Sequence, residues 1–140
     1  MRTTQPPLFS PETEWVMPDE LKDLTHYKEI AVDLETYDPD LTVSGSGSVV
    51  GNGHIAGVAL AVEGWSGYFP IGHENGGNMD TTLVFSWLRD LFKDPNKTFI
   101  FHNAMYDVCW LRSCGMHIEG KIVDTMIAAS LINENRFFFF

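Results

Sequence analysis

The stretch AVDLETYDPD, residues 31–40, decides the fold, because it ends an apolar run in two closely spaced acids. Together with the preceding residues it predicts a strand over residues 28–34. Side chains alternate between the two faces of a sheet, so Asp33 and Glu35 share one face, with Cα atoms about 6.6 Å apart. Two carboxylates at this separation raise each other's pKa unless a cation lies between them.

Hard divalent cations prefer ionised oxygen ligands, so the acid pair predicts a Mg²⁺ or Mn²⁺ site. The alternative is a pair of solvated acids at the entrance to a loop, because Asp-x-Glu is a common sequence. A second group of residues decides between the two interpretations.

Residues 98–102 (TFIFH) predict a short strand, and residues 104–114 predict the helix that follows it. Asn103 lies between them and is predicted to be the N-cap of the helix. Asp107 falls in the first helical turn. This order of strand, polar residues and helix places a third carboxylate just beyond the end of a second strand.

The three acids converge if strands 28–34 and 98–102 are parallel neighbours. In open sheets with parallel strands, binding sites form beyond the carboxyl ends of the strands, near the point where strand order reverses. The expected site therefore contains Asp33, Glu35 and Asp107.

The remaining apolar runs complete an α/β element order of β-β-β-α-β-α-β-α. This order predicts a mixed five-stranded sheet with helices on its faces, in which the first three strands form an antiparallel meander. The predicted strands are residues 28–34, 54–62, 65–71, 98–102 and 121–124, and the predicted helices follow Asp80, Asn103 and Asp124.

Two segments are expected to lie outside these elements. Residues 1–24 contain four prolines, Pro6, Pro7, Pro11 and Pro18, and predict an extended lead-in to a domain at residues 25–136. Residues 44–53 are rich in Gly and Ser and predict a flexible loop. The segment 38–53 is therefore expected to be the most mobile interior part of the chain.

The length, apolar content and net charge of the chain limit the classes of protein to which it can belong. The chain has 140 residues, which fits one domain, with 44% apolar and 20% charged residues. No apolar run approaches the roughly 20 residues that span a bilayer, and no signal peptide is visible, so a cytoplasmic location without a membrane partner is expected. The formal net charge of −10 disfavours a simple basic nucleic-acid-binding module and leaves a metal-dependent enzyme open.

Two motifs carry a family resemblance. DLET (33–36) and HNAMYD (102–107) resemble the first two motifs of the DEDD-type 3′–5′ exonucleases, which have an RNase H-like fold. Their flanks, YFPIGHENGGNMD (68–80) and VDTMIAASLINEN (123–135), are similar to the proofreading domain of phage family A, polymerase I-like DNA polymerases. The resemblance covers residues 25–136.

The resemblance implies a two-metal-ion exonuclease that hydrolyses the 3′ end of single-stranded DNA and releases nucleoside 5′-monophosphates. Asp33 would bridge two Mg²⁺ or Mn²⁺ ions, Glu35 would bind the ion on the side of the attacking water, and Asp107 would hold the second ion. The residues expected to contact the terminal nucleotide are Leu34, Thr36, Asn103 and Tyr106. A phage-encoded protein of this kind would act in the host cytoplasm.

The pattern departs from the family in one respect. The family's fourth carboxylate is an Asp on a later helix, preceded by Tyr at −4 or His at −5. Asp124 has Gly120 and Glu119 at those positions and precedes its helix, so it is predicted to be an N-cap. Whether the chain is an active enzyme is therefore left open, with a last helix expected to be missing.

The sequence ends in four phenylalanines, Phe137–Phe140, which match neither helical nor strand periodicity. The expectation is a truncated, frame-shifted or split reading frame with a polymerase domain downstream, and the alternative is a natural tail.

Three functions remain in consideration. They are an impaired proofreading exonuclease, an inactive nucleic-acid- or metal-binding fragment, and a small stand-alone DEDD ribonuclease. The YFPIGHENGG stretch (68–77) favours a polymerase origin. Preference for DNA or RNA depends on contacts to the sugar 2′ position, which no motif reports.

Overall fold

The computed structural model describes residues 15–133. The predicted Phe137–Phe140 tail and the first fourteen residues of the predicted lead-in lie outside the described range. The strands are β1 (Glu29–Tyr37), β2 (His54–Val62), β3 (Trp65–Pro70), β4 (Thr98–Phe101) and β5 (Lys121–Asp124). The helices are α1 (Leu41–Ser44), α2 (Gly47–Val50), α3 (Thr81–Phe92), α4 (Ala104–Ser113) and α5 (Thr125–Ile132).

The five strands form one mixed sheet in the order β3-β2-β1-β4-β5. β1, β2 and β3 pair antiparallel, whereas β4 pairs parallel with β1 and β5 parallel with β4. The predicted meander, the five-stranded sheet and the parallel pairing of the two acid-bearing segments are therefore confirmed. Strand order reverses between β1 and β4, which is where open α/β sheets place their sites.

Strict alternation in β1 separates an apolar face from a polar one. Ile30, Val32 and Leu34 are buried in the core, whereas Ala31, Asp33 and Glu35 are exposed on the opposite face. This second face is called the carboxylate face below. Burial of apolar side chains contributes roughly 25 cal/mol per Å², so the apolar face fixes the register of β1 and with it the face on which both acids lie.

Helix α3 covers the apolar face of the sheet. The ring centroids of Trp87 and Phe69 of β3 are 5.0 Å apart, and those of Phe92 and Phe99 of β4 are also 5.0 Å apart. The helix begins as predicted at Asp80, whose carboxylate accepts a hydrogen bond from the Leu83 backbone N–H at 3.0 Å. None of the helices within residues 15–133 is long and apolar enough to cross a membrane.

The core extends into the end of the predicted lead-in. Leu24 is only 1% exposed and belongs to the hydrophobic core. Lys97 is 5% exposed, and its Nζ donates hydrogen bonds to the carbonyl oxygens of Leu24, Thr25 and Tyr27 at 3.1, 3.0 and 2.7 Å. The lysine therefore ties the turn before β1 to the start of β4.

Residues 44–53, predicted to be a flexible loop, contain the short helix α2, directly after α1, so the prediction of a loop without secondary structure is wrong in part. The carboxylate of Asp38 accepts the Gly47 backbone N–H at 3.0 and 3.1 Å. A Cβ at Gly47 would lie 1.7 Å from the carbonyl oxygen of Asn52, so glycine is required here by close packing. The mobility of this segment stays a prediction.

Candidate active site

Asp33 and Glu35 lie on β1 just past the segment in which β1 pairs with β4. The parallel register ends at Ala31 and Ile100, so Asp33 lies two residues past it, next to the point where the chain leaves β4. Both Asp33 and Glu35 are exposed on the carboxylate face. The pleat of one strand thus presents two carboxylates at the carboxyl end of the parallel pair, as the sequence predicted.

Asp107, in the first turn of α4, is the buried acid of the site. It is 3% exposed, and burial raises its pKa to about 7, with further contributions from the negative charges of Asp33 and Asp124. Desolvation and like charge both disfavour the ionised carboxylate. The structure therefore brings Asp107 within electrostatic reach of Asp33, and it adds an acid, Asp124, that the sequence did not assign to the site.

Asn103 occupies the N-cap position of α4, but its predicted capping role is wrong. Its side chain makes no capping hydrogen bond, and its backbone is left-handed, with φ 71° and ψ 55°. It is the only non-glycine residue with positive φ in the described part of the chain. Asparagine is one of the few non-glycine residues that adopt this conformation routinely.

Asp124 supplies the cap that Asn103 does not. Its two carboxylate oxygens accept the backbone N–H groups of Asn103 at 3.1 Å and Ala104 at 2.8 Å. One of them also accepts the Met126 N–H at 2.9 Å, which confirms the predicted capping of α5. Partial burial raises the pKa of Asp124, whereas the hydrogen bonds from these backbone N–H groups lower it. The hydrogen bonds have the larger combined effect, so the pKa of Asp124 lies below its usual value. The pairing of Phe101 with Asp124 across β4 and β5 makes the contact possible.

Thr36 and Tyr106, two of the residues predicted to contact substrate, are brought together. Their hydroxyl oxygens are 2.8 Å apart, and the Tyr106 hydroxyl donates to the Asp38 carboxylate at 2.9 Å. Asp38 was missed by the sequence analysis. Its only local signal is an acid shortly after the strand end, and its partners come from distant elements.

Leu34 lies apart from the other predicted substrate-binding residues. Its side chain is 7% exposed and packs in the hydrophobic core, on the face opposite to Asp33 and Glu35. The alternation of β1 requires this placement. A nucleotide on the carboxylate face would meet only the backbone of Leu34.

The donor chemistry suits hard cations, although the donors are not gathered into one cluster. Within residues 15–133, no three His, Cys, Asp or Glu side chains lie close enough together to hold a metal ion. Asp33 and Asp107 are nonetheless oxygen donors whose mutual repulsion a divalent cation would relieve. These acids therefore fit a divalent cation in chemistry.

A cavity of about 680 Å³ lies over the carboxylate face. This volume is within the range of small-molecule sites. Trp15 also lines the cavity, and its ring packs edge-on against Tyr68 with centroids 5.9 Å apart. The lining residues from the sheet include Ala31, Asp33, Ala59, Tyr68 and Ile100.

Two solved structures share this architecture. Brucella melitensis NrnC superimposes with a TM-score of 0.54 at 22% identity, over 81% of this chain and 48% of that chain. The catalytic core of RRP6 from Trypanosoma brucei superimposes with a TM-score of 0.54 at 24% identity, over 73% of this chain and 24% of that chain. These likenesses show an RNase H-like fold.

Sequence comparison identifies the family. A DNA-directed DNA polymerase of Pseudomonas phage M6 is 38% identical over 142 aligned residues, which cover 96% of this chain. The chain spans about a fifth (21%) of the length of that polymerase. The family model for the 3′–5′ exonuclease domain of DNA polymerase A matches residues 10–137. The chain therefore belongs to the family of 3′–5′ exonuclease domains of DNA polymerase A.

Proposed function

We propose that the carboxylate face hydrolyses the 3′-terminal phosphodiester of single-stranded DNA with the aid of two divalent cations, Mg²⁺ or Mn²⁺. The products would be a nucleoside 5′-monophosphate and a DNA strand shortened by one nucleotide. In the longer polypeptide of which this chain would form part, the reaction would remove mispaired nucleotides left by a polymerase domain.

The observation that carries the proposal is the environment of Asp107. A carboxylate that is 3% exposed and faces the charges of Asp33 and Asp124 is costly to ionise in the absence of a cation. Such an arrangement is unfavourable for stability alone and is typical of sites that bind a cation.

The role proposed for each acid is the one that the family resemblance implies. Asp33 is proposed to contact both cations, with Glu35 beside one of them and Asp107 beside the other. Divalent cations bound there would neutralise the charge that develops in an in-line displacement at phosphorus.

The terminal nucleotide is proposed to lie against Thr36 and Tyr106, whose hydroxyl groups are held 2.8 Å apart. Asn103 would contact the same nucleotide with an amide that is not used to cap α4. Among the structural neighbours, NrnC has been solved with bound Mg²⁺ and with bound pGG, which is compatible with a site of this kind.

Mn²⁺ binding measured by calorimetry tests the metal assignment. We expect weak binding by the unmodified chain and a clear loss of affinity in Asp33→Asn, because Asp33 is assigned to both cations. Asp90→Asn is the matched control, since Asp90 is an exposed acid of α3 that forms a surface ion pair with Lys93 at 3.6 Å. Equal Mn²⁺ binding by the unmodified chain and Asp33→Asn would contradict the proposed site.

A 5′-labelled single-stranded oligonucleotide tests the reaction. We expect slow or undetectable shortening by the 140-residue chain, because it contains three of the four carboxylates that the family resemblance requires. Any shortening should proceed one nucleotide at a time from the 3′ end and be abolished by Asp33→Asn. Internal cleavage, or shortening that Asp33→Asn leaves unchanged, would argue against the proposed reaction.

A further inference from the structure

We propose that Tyr68, supported by His73, is a further substrate-binding residue whose hydroxyl donates a hydrogen bond to a phosphodiester oxygen beside Glu35. This inference rests on the proposed function and adds a residue to its site. Tyr68 lies on β3, outside both of the motifs that led to the candidate site.

Sheet register places Tyr68 on the carboxylate face. Asp33 pairs with Ala59 across β1 and β2, and Ala59 pairs with Tyr68 across β2 and β3. Directly paired residues of antiparallel strands project from the same face. The Tyr68 side chain therefore starts two strands away from Asp33, on the same surface.

The absence of a side chain at Gly57 allows the Tyr68 hydroxyl to lie near Glu35. Glu35 pairs with Gly57, and a Cβ at Gly57 would lie 2.0 Å from the Tyr68 hydroxyl oxygen and 2.3 Å from its Cζ. The hydroxyl thus occupies the place of the missing side chain. Cβ atoms of paired residues are about 4.5–5.5 Å apart, so the hydroxyl lies within about 7.5 Å of the Glu35 Cβ. The charge of Glu35 contributes, after burial, to a raised pKa of Tyr68.

The position of the Tyr68 hydroxyl is fixed by a hydrogen bond with His73. The hydroxyl oxygen lies 2.5 Å from His73 Nε2. The backbone N–H of His73 donates to the Asn78 side-chain oxygen at 2.8 Å, and the Asn78 amide donates to the His73 carbonyl at 2.8 Å. This pair of bonds fixes the loop that carries the imidazole.

The chemistry suits an anionic oxygen. When the His73 Nε2–H donates to the phenol oxygen, the phenolic proton is free to point towards the space beside Glu35. In the described part of the chain Tyr68 has His73 as its hydrogen-bond partner and makes no bond to Glu35. A neutral donor next to a carboxylate can bind a phosphate oxygen without adding to the negative charge of the site.

Two binding measurements on each variant test the assignment. The first is anisotropy of a 5′-fluorescein single-stranded oligodeoxynucleotide with 3′-terminal phosphorothioate linkages, in the presence of Mn²⁺. The second is calorimetry with Mn²⁺ alone. The variants are Tyr68→Phe, which removes only the hydroxyl, and Gly57→Ala, which displaces it. Tyr27→Phe is the control, because Tyr27 precedes β1 and packs against the core.

We expect Tyr68→Phe and Gly57→Ala to weaken oligonucleotide binding about tenfold, as loss of a hydrogen bond to a charged group does. Mn²⁺ affinity should stay within about twofold of the unmodified chain, and Tyr27→Phe should change neither quantity.

Oligonucleotide binding by Tyr68→Phe equal to that of the unmodified chain would overturn the assignment. So would a parallel loss of Mn²⁺ affinity, because the hydroxyl would then act on Glu35 and not on the phosphate. Failure of the unmodified chain to bind either ligand would instead overturn the proposed function, and this assignment with it.

Discussion

The carboxylate of Asp124 accepts the backbone N–H of Ala104 at 2.8 Å, so the first turn of α4 is capped by a residue 20 positions later in the chain. The same side chain holds Asn103 in its left-handed conformation and caps α5. One side chain therefore couples the start of the Asp107 helix to the end of β5.

Removal of this cap should destabilise the fold. Asp124→Ala loses the acceptor for two helix starts, and each cap contributes about 1 kcal/mol, so we expect a loss of roughly 2 kcal/mol in the free energy of unfolding. The free energy of unfolding is measured by urea denaturation monitored by circular dichroism. The matched control is Asp80→Ala, which removes the cap of α3 alone and should cost about half as much. If Asp124→Ala lowers the free energy of unfolding no more than Asp80→Ala does, Asp124 does not cap both α4 and α5.

Asp107 should make the metal-free protein less stable as pH rises. Its pKa is about 7 in the folded state and near 3.8 when unfolded, so between these values the folded state keeps a proton that the unfolded state has lost. The stability that this group contributes is complete below about pH 4 and is lost as pH rises through about 7. At roughly 1.4 kcal/mol per pKa unit, the loss amounts to a few kcal/mol.

Asp107→Asn, which mimics the protonated acid, should remove this dependence. In EDTA, its melting temperature should exceed that of the unmodified chain by more at about pH 8 than at about pH 5. Asp90→Asn, at an exposed position, provides the control. An equal difference between Asp107→Asn and the unmodified chain at both pH values would show that Asp107 is not the titrating group.

Lys97 should be a strong stability determinant although it lies away from the carboxylate face. Lys97→Met keeps most of the side-chain volume but leaves three carbonyl oxygens without their ammonium donor. We expect a loss of roughly 2–3 kcal/mol in the free energy of unfolding, because hydrogen bonds to charged groups are involved. Lys93→Met, at an exposed lysine with a surface ion pair, should change stability by less than about 0.5 kcal/mol. Similar effects of the two substitutions would refute the prediction.

Asp38 should control the order of the segment that contains α1 and α2. Asp38→Ala removes the acceptor for both the Gly47 N–H and the Tyr106 hydroxyl, so hydrogen exchange across residues 44–53 should become faster. Asp40→Ala is the comparison variant, because it removes one hydrogen bond to the segment, from the Asn52 side-chain amide at 2.7 Å, and should accelerate exchange less. In the unmodified chain this segment is still expected to exchange faster than the sheet. Strong protection of residues 44–53 would disprove the predicted mobility.

Local sequence pattern was sufficient for much of the fold. Apolar residues at strand and helix periods, with Asp80 and Asp124 before helices, predicted the five strands and the helices α3, α4 and α5. The alternation of β1 also predicted that Asp33 and Glu35 share a face. Such features depend on neighbours within a few residues, which the sequence displays directly.

Two predictions failed because they were made from the local amino-acid composition, whereas the structure at these positions depends on contacts with other segments. Gly- and Ser-rich residues 44–53 predicted a flexible loop, but the segment contains the short helix α2, and the Asp38 carboxylate accepts its Gly47 N–H. Asn103 has a side chain typical of a cap, but the stronger acceptor, Asp124, comes from the neighbouring strand. In both places a distant carboxylate outweighed a local preference.

The sequence by itself determined the strand and helix order, the shared face of Asp33 and Glu35, and the family resemblance carried by two short motifs. Only the tertiary structure decided which groups surround those acids. The burial of Asp107, the capping of α4 by Asp124 and the reach of Tyr68 across Gly57 all depend on strand order and register, which join residues far apart in the chain. Periodicity reports the face on which a side chain lies, whereas the groups it meets there are set by how the whole sheet is assembled.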